Sequence, residues 1–120
     1  MQADDALRRN TEICLVTVGR KTGIPREVEV WFAFDALSEK LVFLAHEESQ
    51  WWKNIAANGK VRYRLPGNSK YREGIAKVLP KSDKSLHRVL ELFNGKYGKG
   101  PVWSWYGDGD GRVVVEIPIS

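Results

Sequence analysis

At 120 residues and 13.7 kDa the chain has material for one hydrophobic core and too little for two. Hydrophobic residues at 42% and charged residues at 28% form a globular balance that excludes disorder and low complexity, and the single cysteine, Cys14, excludes an internal disulfide and points to a reducing cytoplasm. The formal charge is only +4, but the stretch from Lys53 to Lys81 holds eight basic residues against one acid, Glu73, a local field suited to phosphates of a nucleic acid or of a cofactor.

The first ten residues, MQADDALRRN, mix two Asp with two Arg and lack the apolar centre of a secretory signal. Glu12 to Val18, rich in β-branched residues, predicts a strand, and the GRKTGIP after it a loop. From Arg26 to Phe34 the residues alternate, so a second strand is expected with Val28, Val30, Phe32 and Phe34 facing the core. Lys40 to Ala45 is apolar on both faces and predicts a third strand covered from two sides, continuing an antiparallel meander. Ser49 caps a predicted short helix in QWWKNIAANG, with Trp51, Ile55 and Asn58 on one face and Gly59 as the stop. Lys60 to Leu65 and Lys70 to Leu79 read as a hairpin about the turn Pro66 to Ser69. In the next segment Leu86, Val89, Leu90 and Phe93 recur at helical spacing, with Ser82 as cap and Gly95 as stop. Pro101 to Tyr106 reads as an aromatic loop, GDGDG as a turn, and Val113 to Ile119 as the last strand. The expected fold is mainly β with two helices, a six-stranded antiparallel split β-barrel forming a single domain over residues 1–120. No run approaches the roughly 20 apolar residues of a membrane span, so no membrane partner is expected.

Several chemistries drop out on spacing. Cys14, His46 and His87 lie far apart in no ligand pattern, which argues for no metal, and Cys14 reads as a core residue. There is no G-x-S-x-G for a nucleophilic serine. YGDGDGR fails as a calcium loop because Arg112 takes a ligand position, and GRKTG lacks the order and spacing of a P-loop. What remains is Gly19 to Arg26, which sets Arg20, Lys21, Thr22 and Arg26 within one short loop. Guanidinium forks, an ammonium and a hydroxyl, with glycines that let backbone approach, suit an anion. An ordinary charged hairpin turn is the competing reading.

The run LVTVGRKTGIPREVEVWFAF, followed by LVFLA and WWKNIAANGKVRYRL, resembles the deazaflavin-dependent nitroreductase family, a branch of the FMN-binding split β-barrel superfamily. Its G-R-K-[ST]-G-x-P-R loop and W-[YW]-x-N-[LI]-x-A-N helix entry both occur here in order, and the likeness spans Ile13 to Leu79. A departure lies at His46 to Gln50, where longer members carry a Gly-Gly loop and a His-Pro pair. The resemblance implies deazaflavin coenzyme F-420 as cofactor, with FMN as the alternative. It places Arg20, Lys21, Thr22, Gly23, Arg26, Ala45, Trp51 and Asn54 at the cofactor, the loop on its phosphate-bearing side arm. It also implies a small-molecule substrate, hydride transfer to a nitro, quinone or enone acceptor, and a homodimer with the cleft between subunits.

Trp51 and Trp52 either anchor the helix to the core or line the cofactor ring, and Asn54 either donates to the cofactor or bonds neighbouring backbone. Trp103, Trp105 and Tyr106 close a substrate pocket or pack across a subunit boundary; the proton completing the reduction comes from solvent or from Tyr106. A basic single-stranded nucleic-acid module using Tyr63 and Tyr71 as platforms is an alternative, disfavoured because Tyr63 should face away from Arg62 and Arg64. A non-catalytic flavin or deazaflavin carrier is another.

Overall fold

The computed structural model describes residues 9–81, 83–107, 109 and 111–119, so the expected Ser82 cap and the two Asp of the GDGDG turn lie outside the described residues. In chain order the elements are β1 (Glu12–Val18), β2 (Pro25–Trp31), β3 (Ala33–Asp35), β4 (Lys40–His46), α1 (Gln50–Ala57), β5 (Lys60–Arg64), β6 (Arg72–Ile75), β7 (Lys77–Val78), α2 (Asp83–Tyr97), α3 (Lys99–Tyr106) and β8 (Arg112–Pro118). They form two four-stranded antiparallel sheets, ordered β2-β1-β5-β6 and β3-β4-β8-β7. This α+β architecture corrects the expectation of six strands and two helices: among the described residues there are these eight strands and three helices, and the sheets do not join into a closed barrel.

The extra strands arise because two predicted runs each pass from one sheet to the other. The first changes sheet at Phe32, whose amide donates to the Tyr97 hydroxyl at 3.1 Å and whose carbonyl accepts from Lys96 Nζ at 2.9 Å. α2 thus satisfies the backbone groups that the broken ladder leaves behind. The second changes sheet at Ala76, whose amide donates to the Gly59 carbonyl at 2.8 Å. A Cβ at Gly59 would stand 2.6 Å from the Ala76 carbonyl oxygen, so this crossing requires glycine there.

Two apolar layers result. Ile13 and Leu15 of β1, Val61 and Tyr63 of β5, and Ile55 of α1 meet Leu41, Phe43, Val113, Val115 and Ile117 between the sheets. Ala33, Val42, Leu44 and Val114 of the second sheet meet Val89 and Phe93 of α2 and Val102 and Tyr106 of α3. β4 is therefore covered on both faces, as its sequence requires. Phe32 is fully buried and Val28, Val30 and Phe34 pack beside the first layer, as the alternation predicts.

Pro101 to Tyr106 is helical rather than a loop. Gly98, at φ +92°, ends α2 and turns the chain, while Pro101 falls in the first turn of α3, where its missing N–H breaks no helical bond. α2 accordingly runs past Gly95 to Tyr97. Ser49 is the N-cap of α1 but makes no side-chain capping bond, so the first-turn amides of that helix keep no cap. No described helix is long and apolar enough to cross a membrane.

Candidate functional site

The β1–β2 connection is a tight loop. Gly19 N donates to the Ile24 carbonyl at 2.9 Å, Gly23 N to the Gly19 carbonyl at 2.7 Å, and Ile24 N to Thr22 Oγ1 at 3.2 Å. Gly23 sits at φ +71°, and a Cβ on Gly19 would lie 2.6 Å from Thr22 Oγ1, so both glycines are demanded by the loop's shape. The result holds Arg20, Lys21, Thr22 and Arg26 exposed at one end of the first sheet.

Beneath the loop, α1 supplies the support. Asn54, 5% exposed, accepts from Arg20 Nη1 at 2.9 Å and from the Arg20 amide at 3.2 Å, and its Nδ2 donates to Oγ1 of buried Thr17 at 3.3 Å. Gln50 Oε1 accepts from Arg20 Nη2 at 2.7 Å. Two of the five guanidinium N–H groups are thereby used to aim the side chain, and the rest remain for an anion. Of the two roles open to Asn54 from sequence, the backbone bond is present, to the Arg20 amide, as part of a polar bridge that runs from Thr17 in the core to Arg20.

These residues border a cavity of about 500 Å³ lined by Thr17, Gly19, Arg20, Lys21, Thr22, Arg26, Glu27, Val28, Gln50, Trp51 and Asn54. Trp51 has the structural role considered for it, its ring meeting Phe43 edge-on at 6.0 Å and packing against the first core, and it also lines the cavity. Trp52 anchors the approach to α1, its indole N–H donating to the carbonyls of His46 and Glu47, both at 3.1 Å. The uncapped N-terminus of α1, with Gln50 and Trp51 in its first turn, adds free amides and a positive dipole end. Cations, a hydroxyl, helix amides and one indole wall make a donor set that fits a cofactor carrying a phosphate on a flexible arm next to a flat ring.

Other sequence candidates lie elsewhere. Ala45 is buried in β4 within the first core and does not line the cavity. Tyr106 is 3% exposed in the second core, where burial first and Tyr97 second push its hydroxyl far above the ordinary tyrosine range. Trp103, exposed, borders a different hollow with Leu90, Asn94 and Val102, which Tyr106 does not line. Trp105 stacks on Trp31 at 6.3 Å and meets His46 edge-on at 5.7 Å, and His46 stacks on Tyr106 at 5.6 Å. Burial and then Arg112 hold the His46 imidazole below its ordinary range. Among the described residues no group of three or more His, Cys, Asp or Glu converges as a metal site.

The basic stretch is interleaved with acids on the outward face of the first sheet. Arg62 lies opposite Val16 and Glu73, Val16 opposite Glu27, and Cys14 opposite both Glu29 and Arg64. Tyr63 is buried, as its parity predicts, whereas Tyr71 is exposed beside Arg62 and Arg64, its centroid 5.1 and 5.4 Å from their guanidinium carbons, so its ring is already engaged by two cations.

Sequence reasoning missed Thr17, Glu27, Val28 and Gln50. Thr17 did carry a signal: it shares the parity of Ile13 and Leu15, so a hydroxyl facing the core was implied.

Comparison with known proteins bears on the fold and the family. Solved structures of similar fold include Rv2991 from Mycobacterium tuberculosis, 21% identical with a TM-score of 0.76 over 97% of this chain and 77% of that one. They also include an FAD-binding protein from Mesorhizobium loti, at 15% identity and a TM-score of 0.73 over 99% of this chain and 88% of the other. The heme storage protein HutZ from Vibrio cholerae matches at 11% identity and 0.77, again over 99% and 88%. No curated protein matches the chain. At these identities the neighbours establish the split-barrel fold alone, but a family model covers residues 3–117, nearly the whole sequence. The chain belongs to the F420H(2)-dependent quinone reductase family, whose cofactor is the reduced deazaflavin coenzyme F-420.

Proposed function

We infer that this single-domain protein is a reductase that uses reduced coenzyme F-420, or FMN in its place, to reduce a small organic acceptor of the nitro, quinone or enone type. The observation that carries the reading is the cavity in which Arg20, Lys21 and Arg26 meet the N-terminus of α1 and the Trp51 indole. When bound, the cofactor supplies the hydride. Arg20, fixed by Asn54 and Gln50, and Lys21 hold the phosphate; the Thr22 hydroxyl and the first-turn amides of α1 complete the cradle. Trp51 and Val28 wall the cavity with apolar surface that excludes water from the ring. The proton that completes the reduction is taken from solvent, because Tyr106 does not border the cavity.

A second copy of the chain is the partner in this reading, and the chain works in a reducing cytoplasm. Exposed Ile75, with Pro25 and Val18, flanks a groove of about 560 Å³ on the outward face of the first sheet. Lys60, Arg62 and Glu73 line the same groove, so a two-fold apposition can set opposite charges against each other. Sedimentation at micromolar concentration should give twice 13.7 kDa; a particle of one chain's mass refutes the dimer. The function is tested by titrating the protein with F-420 and with FMN, then following anaerobic oxidation of the bound reduced cofactor by quinone, nitroaromatic and enone acceptors. Failure of both cofactors to bind below about millimolar concentration, an affinity worth only some 4 kcal/mol, refutes the enzyme.

A further inference from the structure

The cavity holds an electrostatic contradiction. Three cations, Arg20, Lys21 and Arg26, line it, and so does one acid, Glu27. A mobile carboxylate among three cations pairs with them and competes with an incoming phosphate. Yet among the described residues no acid stands within ion-pair distance of Arg20, Lys21 or Arg26. Glu27 is occupied from the other side. Its Oε1 accepts a hydrogen bond of 2.7 Å from the Tyr71 hydroxyl and lies 3.6 Å from Arg64 Nη2. The Tyr71 ring is itself in contact with the Arg62 and Arg64 guanidinium groups, and the β2 register puts Glu27 opposite Val16, on the outward face where those side chains reach.

We propose that Tyr71 and Arg64 are positioning residues that keep the Glu27 carboxylate turned away from the cationic loop, leaving the cavity open to an anionic cofactor group. The proposal rests on the reading of this cavity as the cofactor's phosphate site. Neither residue lines the cavity. Their effect on binding passes through Glu27, which makes the role separable from simple support. Removal of the tyrosine hydroxyl releases one carboxylate to swing toward Arg26 and Arg20, where it offsets a cation and repels the ligand's charge.

The test is a set of FMN dissociation constants, read by quenching of tryptophan fluorescence and by calorimetry, for the wild type, Tyr71→Phe, Glu27→Gln and the double variant. Tyr71→Phe keeps the ring and its stacking on both arginines. It should raise the constant about threefold to tenfold at low salt, the size of one unit charge brought within roughly 8 Å of a phosphate, and less as salt is added. Glu27→Gln should bind at least as tightly as wild type, and adding it to Tyr71→Phe should restore wild-type affinity. An unchanged constant in Tyr71→Phe overturns the proposal, and so does a loss that persists in the double variant, since that loss would be structural. The Arg20→Ala/Lys21→Ala variant separates the two levels. If it binds FMN as wild type does, the phosphate site itself is misassigned; if it loses binding while Tyr71→Phe does not, only the present proposal falls.

Discussion

Replacing Asn54 by leucine, similar in volume and without polar atoms, removes the bridge between core and loop. Three hydrogen bonds disappear: two to Arg20, at 2.9 and 3.2 Å, and one to Thr17 at 3.3 Å. The Thr17 hydroxyl, 1% exposed, is left without that donor, at a cost of about 1–3 kcal/mol. The Arg20 bonds add about 1 kcal/mol together, because the exposed guanidinium and the backbone amide of that residue turn to water instead. The variant should therefore lose about 2–4 kcal/mol, or roughly 10 °C in Tm for a domain of this size. Freed from its anchor, Arg20 must be ordered anew by each cofactor, which costs about 0.5–1.5 kcal/mol and weakens F-420 or FMN binding by roughly twofold to tenfold. Urea unfolding followed by circular dichroism measures the first effect and calorimetry the second. Thr17→Val divides them, losing stability while leaving the Arg20 contacts and the affinity in place. A loss below about 0.5 kcal/mol in Asn54→Leu with an unchanged dissociation constant would refute the bridge.

The Arg20→Ala/Lys21→Ala variant should weaken cofactor binding about a hundredfold while unfolding within about 1 kcal/mol of wild type, since exposed charges stabilise a fold little and charge-assisted bonds to phosphate contribute much to affinity. Cofactor binding should quench tryptophan fluorescence, and Trp51→Phe should lose most of the quench while still binding; a full quench in that variant would return Trp51 to a purely structural role. His46 gives the sign of an acid response. Its imidazole is held below the ordinary range by burial and by Arg112, so the unfolded chain takes up that proton at higher pH than the folded one. Stability should fall as pH drops below about 6.5, and His46→Gln should flatten that limb of a denaturation series; an identical limb in the variant refutes the assignment.

Much of this was legible in the residues because it was local. The β-branched run of β1, the two-sided apolar pattern of β4 and the chemistry of Gly19 to Arg26 each lie within a few consecutive positions. The sheet changes at Phe32 and Ala76 were hidden for a physical reason. A strand that bends into another sheet keeps its alternation, so Val28, Val30, Phe32 and Phe34 read as one strand while the ladder beneath them breaks. α3 was obscured by its composition, although Val102 and Tyr106, four residues apart and both buried, were a helical signal. The contacts that aim Arg20 span 30 and 34 residues of chain, and nothing near position 20 announces Gln50 or Asn54. Glu27 likewise looked like one more polar residue of an edge strand until Tyr71 was seen to reach it.

The middle sheet has a consequence for how the protein breathes. β4 and β8 send alternate side chains into both apolar layers, so neither layer opens without the other and the amides of that ladder should exchange with solvent only by global unfolding. The Gly19 to Ile24 loop hangs outside this block on a few backbone bonds and the Arg20 anchor. Its amides belong to the low-energy end of the exchange spectrum, hours or days ahead of Phe43 or Val115. Cofactor entry and departure then draw on the loop's own small opening free energy, and the protein can be emptied and refilled without disturbing the frame that carries the site.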